Sequence, residues 1–220
     1  MNKTLFTNLC SAVTENEIID FIKELVAIPS YNGIRNQETK VAECIHRLFV
    51  REGIESEIIP VESGRCNVIA KLKGDNNGKT LLLTGHIDTV PPYDMPEPFE
   101  LKSDGNVLIG RGVVDMKGQL ACMIYSMIAI KRANIKLRGD LIFAGVIDEE
   151  EKSLGTIDLI EKGIKADAAI VGEPTNFNIC TCHRGLEWFE IHFQGKTVHG
   201  GAQKEGVNAI LLASNFIQKV

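Results

Sequence analysis

Residues with metal-binding or proton-transferring side chains stand at four places along the chain: His86 with Asp88, Asp115, Glu149 with Glu150, and Glu173. A neutral imidazole ligates a transition metal well, and a carboxylate close by can hold its tautomer and orientation. Taken singly, these groups have ordinary readings. His-x-Asp also serves as a loop cap or surface pair, Asp115 stands where a helix N-cap belongs, and Glu151 is simply solvated. Their placement points to chemistry. Each group follows an expected strand, and in open α/β sheets ligands bind beyond the carboxyl ends of the strands. With parallel strands, all four groups share one edge. So many carboxylates would repel one another, and their pKa values would rise unless cations were present. Two divalent metals remove that conflict. Imidazole and carboxylates without thiolate suit Zn²⁺, with Co²⁺ or Mn²⁺ as alternatives, over a structural Cys site. Two ions about 3.5–4 Å apart can share a carboxylate and a water, lower that water's pKa and polarise a substrate carbonyl. A spare carboxylate then serves as general base.

The elements that must position these groups are legible from periodicity. Thr14-Glu15-Asn16-Glu17 has the form of a capping box opening a helix that stops before Pro29. A second helix runs from about Gln37 to Arg51 and ends at Gly53. Strands are expected at 54–59 and 67–72, and the apolar run Leu81-Leu82-Leu83-Thr84 leads to Gly85 and His86 before Pro91 and Pro92. A short strand at 107–110, a long helix at 117–133, a buried strand at 140–146, a helix at 156–162 and a strand at 168–171 follow. Strands alternate with helices, so the expected fold is α/β, with a largely parallel central sheet flanked by helices. The pattern Gly74-x-x-x-Gly78-Lys79-Thr80 is one residue short of a phosphate loop and precedes a strand, so it is rejected as one. Past Thr175 the texture changes: strands are expected at 180–182 and 188–193, a turn-rich loop at 195–201 and a helix from 207. Cys180-Thr181-Cys182-His183 reads as strand more readily than as a soft-metal site.

With 220 residues, 44% hydrophobic and 24% charged, the chain has an ordinary globular composition. A net charge of -5 without a basic cluster argues against nucleic acid. No apolar h-region begins the chain, and no apolar run is expected to reach the roughly 20 residues that span a bilayer. Six Cys without a Cys-x-x-Cys pair are expected to be reduced and mostly buried, with the cytoplasm as the default location.

In order, Gly85-His86-Ile87-Asp88-Thr89-Val90-Pro91, Gly110-Arg111-Gly112-Val113-Val114-Asp115-Met116-Lys117-Gly118, Asp148-Glu149-Glu150 and Gly172-Glu173-Pro174-Thr175 resemble the signature of a known family. These are the dinuclear zinc metallopeptidases and amidohydrolases that include acetylornithine deacetylase, succinyl-diaminopimelate desuccinylase, aminoacylases and glutamate carboxypeptidase. The resemblance implies that His86 and Glu173 hold one metal, Glu150 the other, and Asp115 bridges them. It implies Asp88 as the group orienting His86, and Glu149 as the base that deprotonates a metal-bridging water. A cis Asp115–Met116 peptide is a further implication. The reaction implied is cleavage of an amide bond in an N-acyl amino acid or small peptide.

The same resemblance implies residues 1–183 as an incomplete catalytic domain and 184–220 as the start of an α+β lid that makes a homodimer. Gly195 to Gly201 resembles the lid loop whose His, here His199, stabilises an oxyanion in the partner's site. The usual Pro four positions later is Gln203. The family's last His ligand lies near the C-terminus of a longer chain, and nothing after His199 supplies it. These 220 residues alone are therefore expected to bind at most one metal tightly and to hydrolyse weakly or not at all. The competing expectation is a truncated or degenerate paralogue that binds metal or a partner without turnover.

Overall fold

The structure is a computed structural model that describes residues 3–182, 184, 185, 187 and 189–220. It divides into two compact units, 1–178 and 179–220.

The first unit opens with helix α1, Lys3–Ser11, which the sequence did not announce. Helix α2, Glu15–Val26, carries the expected capping box: the Glu17 N–H donates to Thr14 Oγ1, and the Thr14 N–H donates to the Glu17 carboxylate. Helix α3, Thr39–Arg51, follows, then the antiparallel pair β1, Glu55–Glu62, and β2, Arg65–Leu72. Strand β3 is Leu81–His86, β4 is Lys102–Asp104, and β5 is Val107–Ile109. A tight turn at Val113–Lys117 precedes helix α4, Gly118–Arg132; β6, Leu141–Val146, α5, Leu154–Glu161, and β7, Ala168–Val171, complete the unit.

The central sheet has the order β1-β2-β6-β3-β7. Its site-bearing strands β6, β3 and β7 are parallel neighbours, and the β1–β2 hairpin joins them antiparallel through β2 and β6, so the sheet is mixed. Period-two alternation sorts β6 between two faces. Leu141 and Phe143 join the core under α2, α3 and α4. Ile142, Ala144 and Val146 pack on the opposite side with Leu159 of α5. This burial on both sides fixes the sheet's carboxyl edge as a rigid rim. Strand β7 forms an edge, with Ile170 and Val171 exposed.

Two expectations need correction. Strand β5 does not join the central sheet; it pairs only with β4, so Asp115 does not follow a strand of that sheet. Val113–Arg132, moreover, is long and apolar enough by composition to cross a bilayer, contrary to the sequence reading. Within it α4 buries Leu120, Ile124, Met127 and Ile128 in the core.

In the second unit the expected strands at 180–182 and 188–193 are absent among the described residues, and His183 and Trp188 lie outside them. Strand propensity there finds no ladder to join. What forms is a bridge between Lys196 and Val207, a short turn at Gly200–Glu205, and helix α6, Ala209–Ile217, capped by Asn208. The rings of Phe193 and Phe216 meet at 5.7 Å.

Candidate metal centre

The first unit brings five of the predicted residues together at the carboxyl rim. His86 is the last residue of β3, its side chain fully buried. Pairing continues past the strand ends, with the Ile87 N–H donating to Val146 O and the Gly172 N–H to Thr84 O. The loops after β3, β6 and β7 therefore leave the sheet side by side, carrying His86, Glu149 with Glu150, and Glu173.

Asp115 arrives from the turn before α4. Gly112 there has φ +80, and a Cβ on it would lie 2.7 Å from Thr89 Cγ2, so the turn needs glycine for both conformation and clearance. Lys117 is buried, and its Nζ donates to the carbonyls of Leu25 and Ile28 at 2.8 and 2.7 Å, tying the turn to the end of α2. Burial pushes the Lys117 ammonium down to about 7. The Asp115–Met116 peptide is cis, as the resemblance implied. Met116 packs beneath β3, where the His86 N–H points at its Sδ at 3.2 Å. A Cβ on Gly85 would come within 2.2 Å of Met116 Cε. The glycine before His86 is thus what lets the Asp115 turn close against the strand.

The imidazole stands among carboxylates. His86 Nε2 lies 2.8 Å from Asp115 Oδ1, 3.8 Å from Glu149 Oε2 and 3.9 Å from Glu173 Oε1. Its other nitrogen, Nδ1, faces the Asp88 carbonyl at 3.1 Å and the Asp88 carboxylate at 3.4 Å. Two sets of side chains bring one donor atom each within a common coordination distance: His86, Glu149 and Glu173, and His86, Asp115 and Glu150. Geometry alone groups Glu149 with potential ligands as closely as Glu150.

Burial alone would hold His86 neutral, but hydrogen bonds to Asp115 and Asp88 and the nearby negative charges lift it to about 11. Burial raises the carboxyls of Glu149, Glu150 and Glu173, and the charge of Asp115 adds to it, while His86 opposes both. A site that raises the proton affinity of three carboxyls and an imidazole at once is short of positive charge. Its donors, one imidazole and several carboxylates without thiolate, fit divalent cations such as Zn²⁺.

The sequence reading missed what holds the Glu149–Glu150 backbone. The Asp88 carboxylate accepts the N–H groups of Glu149 and Glu150 at 3.2 and 3.0 Å. Asp148 beside them pairs with Arg65 of β2. His199 lies in the second unit, where its Nδ1 accepts the Gly201 N–H at 3.2 Å.

Peptidase family M20/M25/M40 matches residues 82–203 of the chain. A probable succinyl-diaminopimelate desuccinylase of Staphylococcus epidermidis is 28% identical over 216 residues, covering 96% of this chain and 52% of that protein. The chain thus spans about half the length of the curated relatives it matches. Among solved structures, a tripeptidase of Staphylococcus aureus superposes with a TM-score of 0.65 at 21% identity, over 94% of this chain and 57% of that one. A dinuclear metal-binding peptidase of the M20 family from Bacillus subtilis superposes with a TM-score of 0.55 at 23% identity, over 71% of this chain and 42% of that one. These likenesses carry the fold, a sheet flanked by helices.

Proposed function

The chain belongs to peptidase family M20/M25/M40, and we propose that it forms the amide-cleaving centre of a two-metal hydrolase acting on N-acyl amino acids or small peptides. The observation that carries this reading is the imidazole of His86 ringed by the carboxylates of Asp115, Glu149 and Glu173 within 3.9 Å.

His86 Nε2 and Glu173 would hold one ion, Glu150 the other, and Asp115 would face both; Zn²⁺ is the first choice for this donor set. A pair of divalent ions supplies a water of lowered pKa and a polarised substrate carbonyl. Asp88 fixes the His86 tautomer from Nδ1 and presents the amides of Glu149 and Glu150 to its own carboxylate. Glu149 takes the nucleophile's proton on its carboxylate and returns it to the leaving amine. Burial, which raises its carboxyl, moves it toward the range where it can both accept and donate.

The second unit enters the same proposal as a dimerising lid whose His199 stabilises a substrate oxyanion in the partner subunit's site. Because Nδ1 of His199 accepts from Gly201, the neutral ring carries its proton on Nε2, the form that donates. The lack of a Cys-x-x-Cys pair fits a reducing, cytoplasmic setting. The expectation that most cysteines are buried is corrected, since Cys44 is buried, Cys66 half-buried and Cys10, Cys122, Cys180 and Cys182 exposed. The test is hydrolysis of N-succinyl and N-acetyl amino acids and dipeptides by the intact, full-length enzyme before and after chelation. Metal-dependent release of the free amine is expected; hydrolysis indifferent to chelator removes the reading.

A further inference from the structure

We infer that Arg65, with Asn67 beside it on β2, is a positioning residue that sets the turn presenting Glu149 and Glu150 to the metals; the inference rests on the function proposed above. β2 runs antiparallel to β6, so its first residues lie beside the end of β6, where that turn begins.

Asn67, wholly buried, closes the neck of the loop 147–155. Its Oδ1 accepts the Ile147 N–H at 3.0 Å, and its Nδ2 donates to Gly155 O at 2.9 Å. The Gly155 N–H donates to Ile147 O across the same neck. Within the loop Asp148 holds φ +67, a left-handed conformation that Asp adopts more readily than most residues with a side chain.

The Asp148 carbonyl accepts the N–H groups of Glu151, Lys152 and Ser153, and Arg65 holds the Asp148 side chain. The Arg65 side chain is 12% exposed, and Nη2 donates to Asp148 Oδ1 at 2.8 Å and to Glu38 Oε1 at 2.5 Å. Nε donates to Glu38 Oε2 at 3.0 Å, so the guanidinium is gripped bidentately by a fully buried carboxylate. Nη1 reaches Glu62 at 3.1 Å. Glu38 precedes α3 and anchors the fork in the scaffold. Asp88 accepts the amides of Glu149 and Glu150. Two consecutive acids are thereby aimed by contacts to the side chain of the residue before them and to their own backbone.

Buried ion clusters of this kind are often no better for stability than apolar residues of equal size, and in some proteins they serve to fix geometry. The variant E38M/R65M/D148N, which replaces the buried Glu38–Arg65 pair by apolar side chains, separates the two roles. We expect it to unfold near the wild-type midpoint, to exchange the amide hydrogens of residues 148–151 faster, and to bind Zn²⁺ 10–100-fold more weakly. If that variant does not fold, Arg65→Lys keeps the charge and loses the fork, and the same weakening is expected of it. Wild-type Zn²⁺ affinity and loop exchange in a folded variant overturn the inference alone. A wild-type chain that binds no divalent ion removes the metal reading and the inference with it.

Discussion

The carboxylate of Asp88 lies 3.0 Å from the backbone nitrogen of Glu150, across a gap of more than sixty residues in sequence. The same side chain also meets the Glu149 amide and the Nδ1 side of His86. One short acid therefore couples the imidazole to the backbone of both following acids.

Asp88→Ala should release the imidazole's orientation and leave two N–H groups without their acceptor. We expect Zn²⁺ affinity to fall about 10–100-fold, as for other groups that orient ligands. Competition against a chelating dye measures it. An unchanged affinity would mean that the His86 and Glu150 positions are held by other contacts.

In the intact, full-length enzyme Glu149→Gln should leave metal binding near wild type and lower turnover by roughly 10²–10⁴-fold, because Gln keeps the shape and removes the proton carrier. Metal titration and amide hydrolysis on the same preparation decide it. Loss of metal instead would exchange the roles proposed for Glu149 and Glu150, which geometry alone leaves equivalent.

Metal uptake should release protons. Without metal, His86 holds its proton up to about 11, and Glu149, Glu150 and Glu173 have raised carboxyls. Ligands must be deprotonated to bind, so affinity falls as pH falls. Calorimetric titration with Zn²⁺ in two buffers of different ionisation enthalpy gives the proton count. Heats independent of the buffer would contradict the ligand set.

Away from the site, Arg132 bonds Glu17 at 2.7 Å and Glu52 at 2.8 Å. Its hydrogen bonds lower both carboxyls below the ordinary range. A lowered folded pKa contributes stability above the unfolded value, about 4.3, and loses it as pH falls through the folded value. Both pairs are partly solvated, so Arg132→Met should cost only about 1 kcal/mol at pH 7. That difference should shrink as pH falls below the unfolded value and through the lowered folded values. Urea unfolding at pH 7 and across the acid range checks it; a cost that grows in acid would be the wrong sign.

The sheet's carboxyl rim was legible because its strands are short apolar runs that end abruptly in Gly-His, Asp-Glu-Glu and Gly-Glu. Local signals of that kind need no knowledge of partners. Asp115 was found by type and motif, yet its route was misread: a three-residue strand with little burial cannot reveal which sheet it joins. Arg65 was invisible for a related reason. Its partners Glu38 and Asp148 are 27 and 83 residues away, and nothing periodic connects them. In the second unit, the expected strands at 180–182 and 188–193 had composition but no ladder among the described residues, and strand propensity means little without one.

The central claim is that His86 and its carboxylates form a metal centre, and anomalous diffraction from crystals of the chain grown with Zn²⁺ tests it most directly. The account predicts a zinc peak about 2.0–2.1 Å from His86 Nε2, with carboxylate oxygens of Asp115 or Glu173 also bound, and the His86–Asp115 hydrogen bond replaced by ligation. Zinc bound elsewhere on the protein, with His86 Nε2 still 2.8 Å from Asp115 Oδ1, would contradict it.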